Sequence, residues 1–394
     1  MLSAKIGIFG EFTSNNQGDR LIGQGMECLF SEQGYTITLL PLGKISEQQN
    51  NSPNEKTVNL FRRCHRNFFQ AYKTYRHAIE LILFMRNKKR QQQDLLKTLS
   101  NIDYVVIGGG QLLGDNSLRM ILKIDLLIDE AEKRGQQIAL FAVGIDNPGT
   151  LISRFFLKRI FKRLQPDHIY VRDKTSRAVY MKLRKKKSDN AQLIPDAAFY
   201  AYETCSFAKT DDVIIGLAPQ SYRTLSNKIK RKHLYNNQWW CEVAKELHLQ
   251  GARPVFFSSG VQSDHDRAED ICNSLKQEGL DIRLLERPVT TEQLREQLVS
   301  MSSILAQRLH ISIAYYALGG IPASLGWHSK VEDFYLFMGL GERFFGEKAE
   351  ETERVVQLLC KEAAGSSEQT AELQRNLRSA AEKLTESFSR SVMG

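Results

Sequence analysis

Two hydrophobic periods take turns along the chain. "KIGIFG" (5–10) is a short apolar run closed by glycine. A Gly/Asn-rich turn follows, then "RLIGQGMECLFSEQG", where apolar positions recur at helical spacing. "YTITLLPLG" reads as a second strand, and "YVVIGGGQLLGD" as a buried strand running into glycines. "LRMILKIDLLIDEAEKRG" is a helix with a glycine stop, and "QIALFAVGI" is again a buried strand. Strand, helix, strand at this spacing predicts βαβ units and a parallel sheet.

The pattern restarts after "LIPDAAFYAYETCSFAKTDD". "VIIGLAP", "RPVFFSSG", "IRLLE" and "SILAQRLH" are strands separated by helical stretches such as "QWWCEVAKELHLQG" and "DRAEDICNSLKQEG". A boundary near residue 205 gives two α/β halves, 1–205 and 206–394. A length of 394 residues suits two domains. Tandem α/β halves predict a cleft between them, with ligands at the carboxyl ends of the strands. A long polar and basic insertion, about 45–100, interrupts the first half and is expected to be partly helical. The charged tail after Lys361 is helix-prone and carries no chemistry of its own.

Composition narrows the function. Six cysteines are scattered, with no C-x-x-C pair and no histidines at ligand spacing. A zinc site or a disulfide framework is therefore not expected, and a reducing cytoplasm is. The N-terminus reads as a first buried strand rather than a signal peptide, and no stretch approaches the roughly 18 apolar residues of a membrane span. Net charge is +9 and uneven: nine Lys/Arg stand against one acid, Glu80, between Arg62 and Arg90. Further basic clusters lie in "RFFLKRIFKRL" and "KLRKKK". Such clusters attract phosphate in nucleotides, lipid headgroups or nucleic acid, or simply form a solvated face. Signatures of a nucleic-acid binder are missing.

Four segments place polar groups where a parallel strand should end. In "NNQGDR", Gly18 allows a tight turn, and Asp19 either caps the next helix or reaches a ligand hydroxyl. In "GGGQLLGD" (Gly108 to Asp115), Gly109 and Gly110 let backbone N–H groups approach an anion or a sugar. Neither a dinucleotide fingerprint nor a P-loop is present. "YVRDKTS" brings Arg172 to a strand end, to hold an anion or to pair with a nearby Asp. In "QRLH", Arg308 and His310 are two apart; on an extended segment they face one way, with Leu309 turned into the core. His310 then opens a helix. Lys330, after Gly326, adds a further cation.

Taken in order, these pieces resemble the polysaccharide pyruvyl transferase family. "NNQGDRLI", with Asn16, Gly18 and Asp19, is similar to its N-x-G-D turn. "VVIGGGQLLGD", ending at Asp115, is similar to its glycine-rich motif. "YVRDKTS", "IPDAAF", "QRLHISIAYYALGGIPA" and "GWHSKVEDF" resemble its later motifs. Trp327-His328 stand where the family has Tyr-Asp. The resemblance implies a GT-B-like fold of two Rossmann-like domains. It implies phosphoenolpyruvate as donor, a saccharide acceptor (nucleotide sugar or lipid-linked) and a pyruvate ketal as product, with phosphate released. It implies donor contacts from Arg172, Arg308, Leu309 and Lys330 and a proton from His310. It implies no metal and no separate cofactor. The basic insertion then suits docking at an anionic inner leaflet. A GT-B glycosyltransferase using a nucleotide sugar is the alternative.

Overall fold

In a computed structural model of the chain, the short apolar runs become the parallel strands of two six-stranded sheets. The structure describes residues 4–44, 66–115, 117–184, 191–205, 213–222, 235–326, 329–346, 352–361 and 367–390. Trp327, His328 and the first part of the basic insertion, 45–65, lie outside the described residues.

The first sheet contains β1 (Lys5–Gly10), β2 (Thr36–Pro41), β3 (Tyr104–Gly108), β4 (Gln137–Val143), β5 (Ile169–Val171) and β6 (Gln192–Leu193). Their order is β2-β1-β3-β4-β5-β6, and every pairing is parallel. The helices associated with these strands are α1 (Gln17–Ser31), α2 (Arg66–Leu99), α3 (Leu118–Lys133), α4 (Leu151–Arg163) and α5 (Lys174–Arg184). Strands covered on both faces need apolar residues on both, which is why β3 is buried along its whole length. Leu122, Leu127, Leu157 and Phe161 fill the layer between helices and sheet. β4 carries a bulge. Leu140 pairs with Ile169 and Val143 with Val171, and Ala142 between them has φ 53°. A non-glycine residue in the left-handed region marks local strain, here where the strand turns toward its carboxyl end.

The second sheet contains β7 (Ile214–Ala218), β8 (Arg253–Phe256), β9 (Arg283–Leu284), β10 (Ser303–Ala306), β11 (Ala323–Leu325) and β12 (Phe344–Phe345). Its order is β12-β11-β10-β7-β8-β9. Counted from β7, this is 6-5-4-1-2-3, the doubly wound order of dinucleotide-binding sheets. Its helices are α6 (Asn237–Leu249), α7 (Gln262–Gln277), α8 (Thr291–Val299), α9 (Leu309–Ala317), α10 (Ser329–Phe337), α11 (Thr352–Cys360) and α12 (Ser367–Arg390). Trp240, Phe256, Leu305 and Val356 are central to its core.

The chain divides into two compact units. One comprises 1–13, 26–197 and 376–394; the other comprises 14–25 and 198–375. The first turns of α1 thus count with the second unit, and the end of α12 with the first.

Candidate functional site

In doubly wound sheets, ligands gather where the strand order reverses. In the second unit that point lies between β7 and β10. β10 runs into Gln307, whose N–H bonds the carbonyl of Ala218 at the end of β7 at 3.1 Å. Arg308 follows as the cap residue of α9, with φ −83° and ψ 120°. Its carbonyl accepts the N–H of Ile311 at 3.1 Å, so Leu309 opens the helix. This differs from the expected geometry in two ways. Arg308 and His310 do not share an extended segment, because the chain turns helical between them. Leu309 is only half-buried, since the apolar packing of α9 begins at Ile311.

The Arg308 side chain lies against Asp264. Nε donates to Oδ2 at 2.8 Å and Nη2 to Oδ1 at 3.1 Å. Asp264 is 1% exposed, and its Oδ1 also accepts the backbone N–H of Ser221 at 2.7 Å. One edge of the guanidinium is therefore fixed by a buried carboxylate. Nη1, with both of its hydrogens, has no partner among the described residues. A free Nη1–Nη2 edge is the fork that carboxylates and phosphates fit. Behind this pair Arg267 is buried, donating to the carbonyl of Tyr235 at 2.6 Å and to Asn237 Oδ1 at 2.9 Å. Burial pushes its guanidinium down to about 10.

His310 sits in the first turn of α9, and Gly18 lies directly against it. A Cβ at Gly18 would come within 2.4 Å of His310 Cβ and 3.0 Å of its Nδ1. The glycine of the N-x-G-D segment is thus required for close approach, not for a turn; Gly18 is helical. Capping of α1 falls to Asn16, whose Oδ1 accepts the N–H of Gly18 at 3.2 Å. Asp19 instead accepts the Ser14 hydroxyl at 2.6 Å. Gln17 and Arg20 bond Ser259, Pro288 and Val289, which ties this turn to the loops after β8 and β9. The N-terminal turns of α1 and α9 therefore meet at the imidazole. Both present positive partial charge there. Lys330 lies half-buried in the first turn of α10, after the neighbouring strand β11.

The remaining candidates belong to the first unit. Arg172 follows β5, and its side chain is 7% exposed. Nη1 donates to Asp196 Oδ2 at 2.7 Å, Nη2 to Gln111 Oε1 at 3.0 Å, and Nε lies 3.6 Å from Asp173. Gln111 in turn donates to Asp146 at 2.8 Å. Gly109 and Gly110 adopt φ 75° and 67°, a conformation that favours glycine. The Gly109 N–H already bonds Phe141 O at 3.0 Å, so it is not offered to an anion. Asp115 is buried. It accepts the Gly149 N–H at 2.6 Å and pairs with Lys73. Asp264, Ser221, Gln111 and Asp146 were not anticipated from the sequence.

The polysaccharide pyruvyl transferase family model matches residues 16–319, about three quarters of the chain. The chain belongs to the polysaccharide pyruvyl transferase family. It is accordingly an enzyme. No curated protein sequence matches it. Among solved structures it resembles a putative UDP-N-acetylglucosamine 2-epimerase from Listeria monocytogenes, with TM-score 0.50 and 9% identity, covering 98% of this chain and 91% of that one. It also resembles a glycosyltransferase from Rickettsia africae ESF-5, with TM-score 0.50 and 10% identity, covering 98% and 95%. At such identities the likeness shows the transferase's fold: two Rossmann-like units of the GT-B kind.

Proposed function

We propose that this transferase moves a pyruvyl group from phosphoenolpyruvate to two hydroxyls of a saccharide. The observation that carries the reading is the pairing, at the switch point of the second sheet, of a half-anchored arginine with an imidazole at two helix N-termini. Phosphoenolpyruvate brings a carboxylate and a phosphate. The open edge of Arg308 suits either group, and Lys330 adds charge. Leu309 sits half-buried between the two polar residues and gives the donor's methylene an apolar neighbour.

Protonated His310 gives its proton to the methylene carbon of the donor, which becomes the methyl group. The adjacent carbon turns electrophilic, and one sugar hydroxyl adds to it and loses its proton. The second hydroxyl then displaces phosphate from the same carbon. The sum is donor plus diol giving ketal plus phosphate. Proton transfer from a positioned group is worth about a hundred- to ten-thousand-fold in rate. The acceptor is a nucleotide sugar or a lipid-linked saccharide. In this reading Arg172, expected as a donor contact, and Asp115 organise the strand ends of the first unit instead.

Calorimetric titration of phosphoenolpyruvate into the full chain tests the reading. Binding is expected with wild type and is lost in Arg308→Ala. No binding to wild type, with saccharides present as well, overturns it; turnover of a nucleotide sugar alone moves the reading to glycosyl transfer.

A further inference from the structure

Ten large apolar side chains are exposed among the described residues, and five of them sit on two helices of the first unit. α2 presents Tyr75, Ile82 and Met85; α4 presents Leu151 and Phe155, exposed by 82% and 60%. The helices pack on one another, and His77 Nδ1 lies 2.9 Å from Thr150 Oγ1, the cap of α4. Single exposed apolar residues are ordinary. A cluster on adjoining helices is not, and packing does not call for it. α4 already buries Leu157, Ile160 and Phe161 on its inner side.

Charge on the exposed sides of these two adjoining helices is mostly positive, with Asp94 the exposed acid of α2. α4 has no acid, and its five cations fall into two sets. Arg159 and Arg163, turned toward α3, are paired with Asp125, Asp129 and Glu132. Arg154, Lys158 and Lys162 recur every fourth residue on the exposed side, and none makes an ion pair among the described residues. Arg86, Lys89 and Arg90 are exposed near Met85 on α2.

We propose that this face of α2 and α4 docks on an anionic lipid surface. Phosphate on a nucleic acid would use the cations but gain nothing from Leu151, Ile82 and Met85. A bilayer interface uses both, with cations at the headgroups and apolar side chains at the acyl boundary. No helix among the described residues is long and apolar enough to cross a membrane. The proposal is independent of which donor the enzyme uses, and it places the reaction where a lipid-linked acceptor would be found.

The test is sedimentation of the full chain with vesicles of phosphatidylcholine alone and of phosphatidylcholine mixed with phosphatidylglycerol. Wild type is expected to partition onto the mixed vesicles only, less so at high salt. Neutralising Arg154, Lys158 and Lys162 to Gln lowers the partition coefficient about five-fold per cation, roughly a hundred-fold together. Leu151→Ser with Phe155→Ser lowers it roughly tenfold or more with every charge kept. All five side chains face outward, so thermal midpoints stay near wild type; if a combined variant fails to fold, Leu151→Ser and Lys158→Gln are read singly. Equal partition onto neutral vesicles, or none onto either, overturns the proposal. So does wild-type partition by the serine variant alongside loss by the glutamine variant, which is the signature of a purely electrostatic partner such as RNA.

Discussion

Arg172 and Arg308 occupy the same kind of position, one in each unit: the short link between a parallel strand and the helix that follows it. Their surroundings differ. Arg172 lies between Asp173 and Asp196 with Gln111 on a third side, at 7% exposure. Arg308 meets one carboxylate, along one edge, at 20% exposure. An anion brought to Arg172 faces two carboxylates already in place. An anion brought to Arg308 faces a carboxylate that the arginine neutralises, and two helix N-termini beyond it. Under the proposed function, the number of nearby acids, rather than the arginine, separates a strut from an anion seat.

The largest expected effect tests the strut. Arg172→Ala takes the paired guanidinium from beside Asp196, which is 6% exposed, and should lower stability by about 3–5 kcal/mol in urea unfolding, the usual cost of breaking a buried pair. Arg308→Ala should lower it less, because the Arg308 side chain is 20% exposed against 7% for Arg172, so its pair is better screened by water. Equal losses from the two substitutions would break the comparison.

A smaller effect sharpens it from the other side. Asp264 fixes one edge of the Arg308 guanidinium. Asp264→Asn keeps the shape but gives up one of the two bonds to the guanidinium. The KM for phosphoenolpyruvate should rise about tenfold to a hundredfold, the worth of a hydrogen bond to a charged group, with kcat changing less. Steady-state phosphate release measures both, and Asp264→Glu should recover part of the loss. An unchanged KM would mean that Arg308 holds its orientation without help.

This contrast was only half legible in the sequence. The strands were readable because parallel strands buried on both faces must be apolar throughout, as β3 and β10 are. Arg308 and His310 were readable because local order alone delivers them to a strand end. Asp264 was not. It stands in "QSDHDRAED", among acids that stay exposed, and becomes a buried partner only because β7 and β10 pair and bring Ser221 and Arg308 to it. In the sequence Gly18 reads as a turn residue, because the imidazole that demands a missing Cβ comes from nearly three hundred positions later. The packing of 376–390 also left no local mark: Ser387 and Phe388 bond His168 and Gln137, from distant segments.

That last contact supports the smallest of the expected effects. If the first unit is where polar groups act as struts, its buried histidines should make it the acid-sensitive one. Burial pushes His77 and His168 below the ordinary imidazole value of 6.5. His168 Nδ1 faces the carbonyl of Ile138 at 3.3 Å, so that nitrogen carries the hydrogen, and Nε2 accepts from Ser387 at 2.8 Å. Protonating Nε2 removes that acceptor and buries a charge. Since the unfolded chain takes up the proton at a higher pH than the folded one, the contribution is complete above about 6.5. It is lost as pH falls through the lowered folded value. Protection factors of the amides at 376–390, corrected for the intrinsic exchange rate at each pH, should therefore fall below pH about 6.5 before those in β7 and β10 do, and His168→Gln should flatten that onset. Earlier loss of protection in β7 and β10 would place the acid-sensitive struts in the second unit and reverse the assignment of roles.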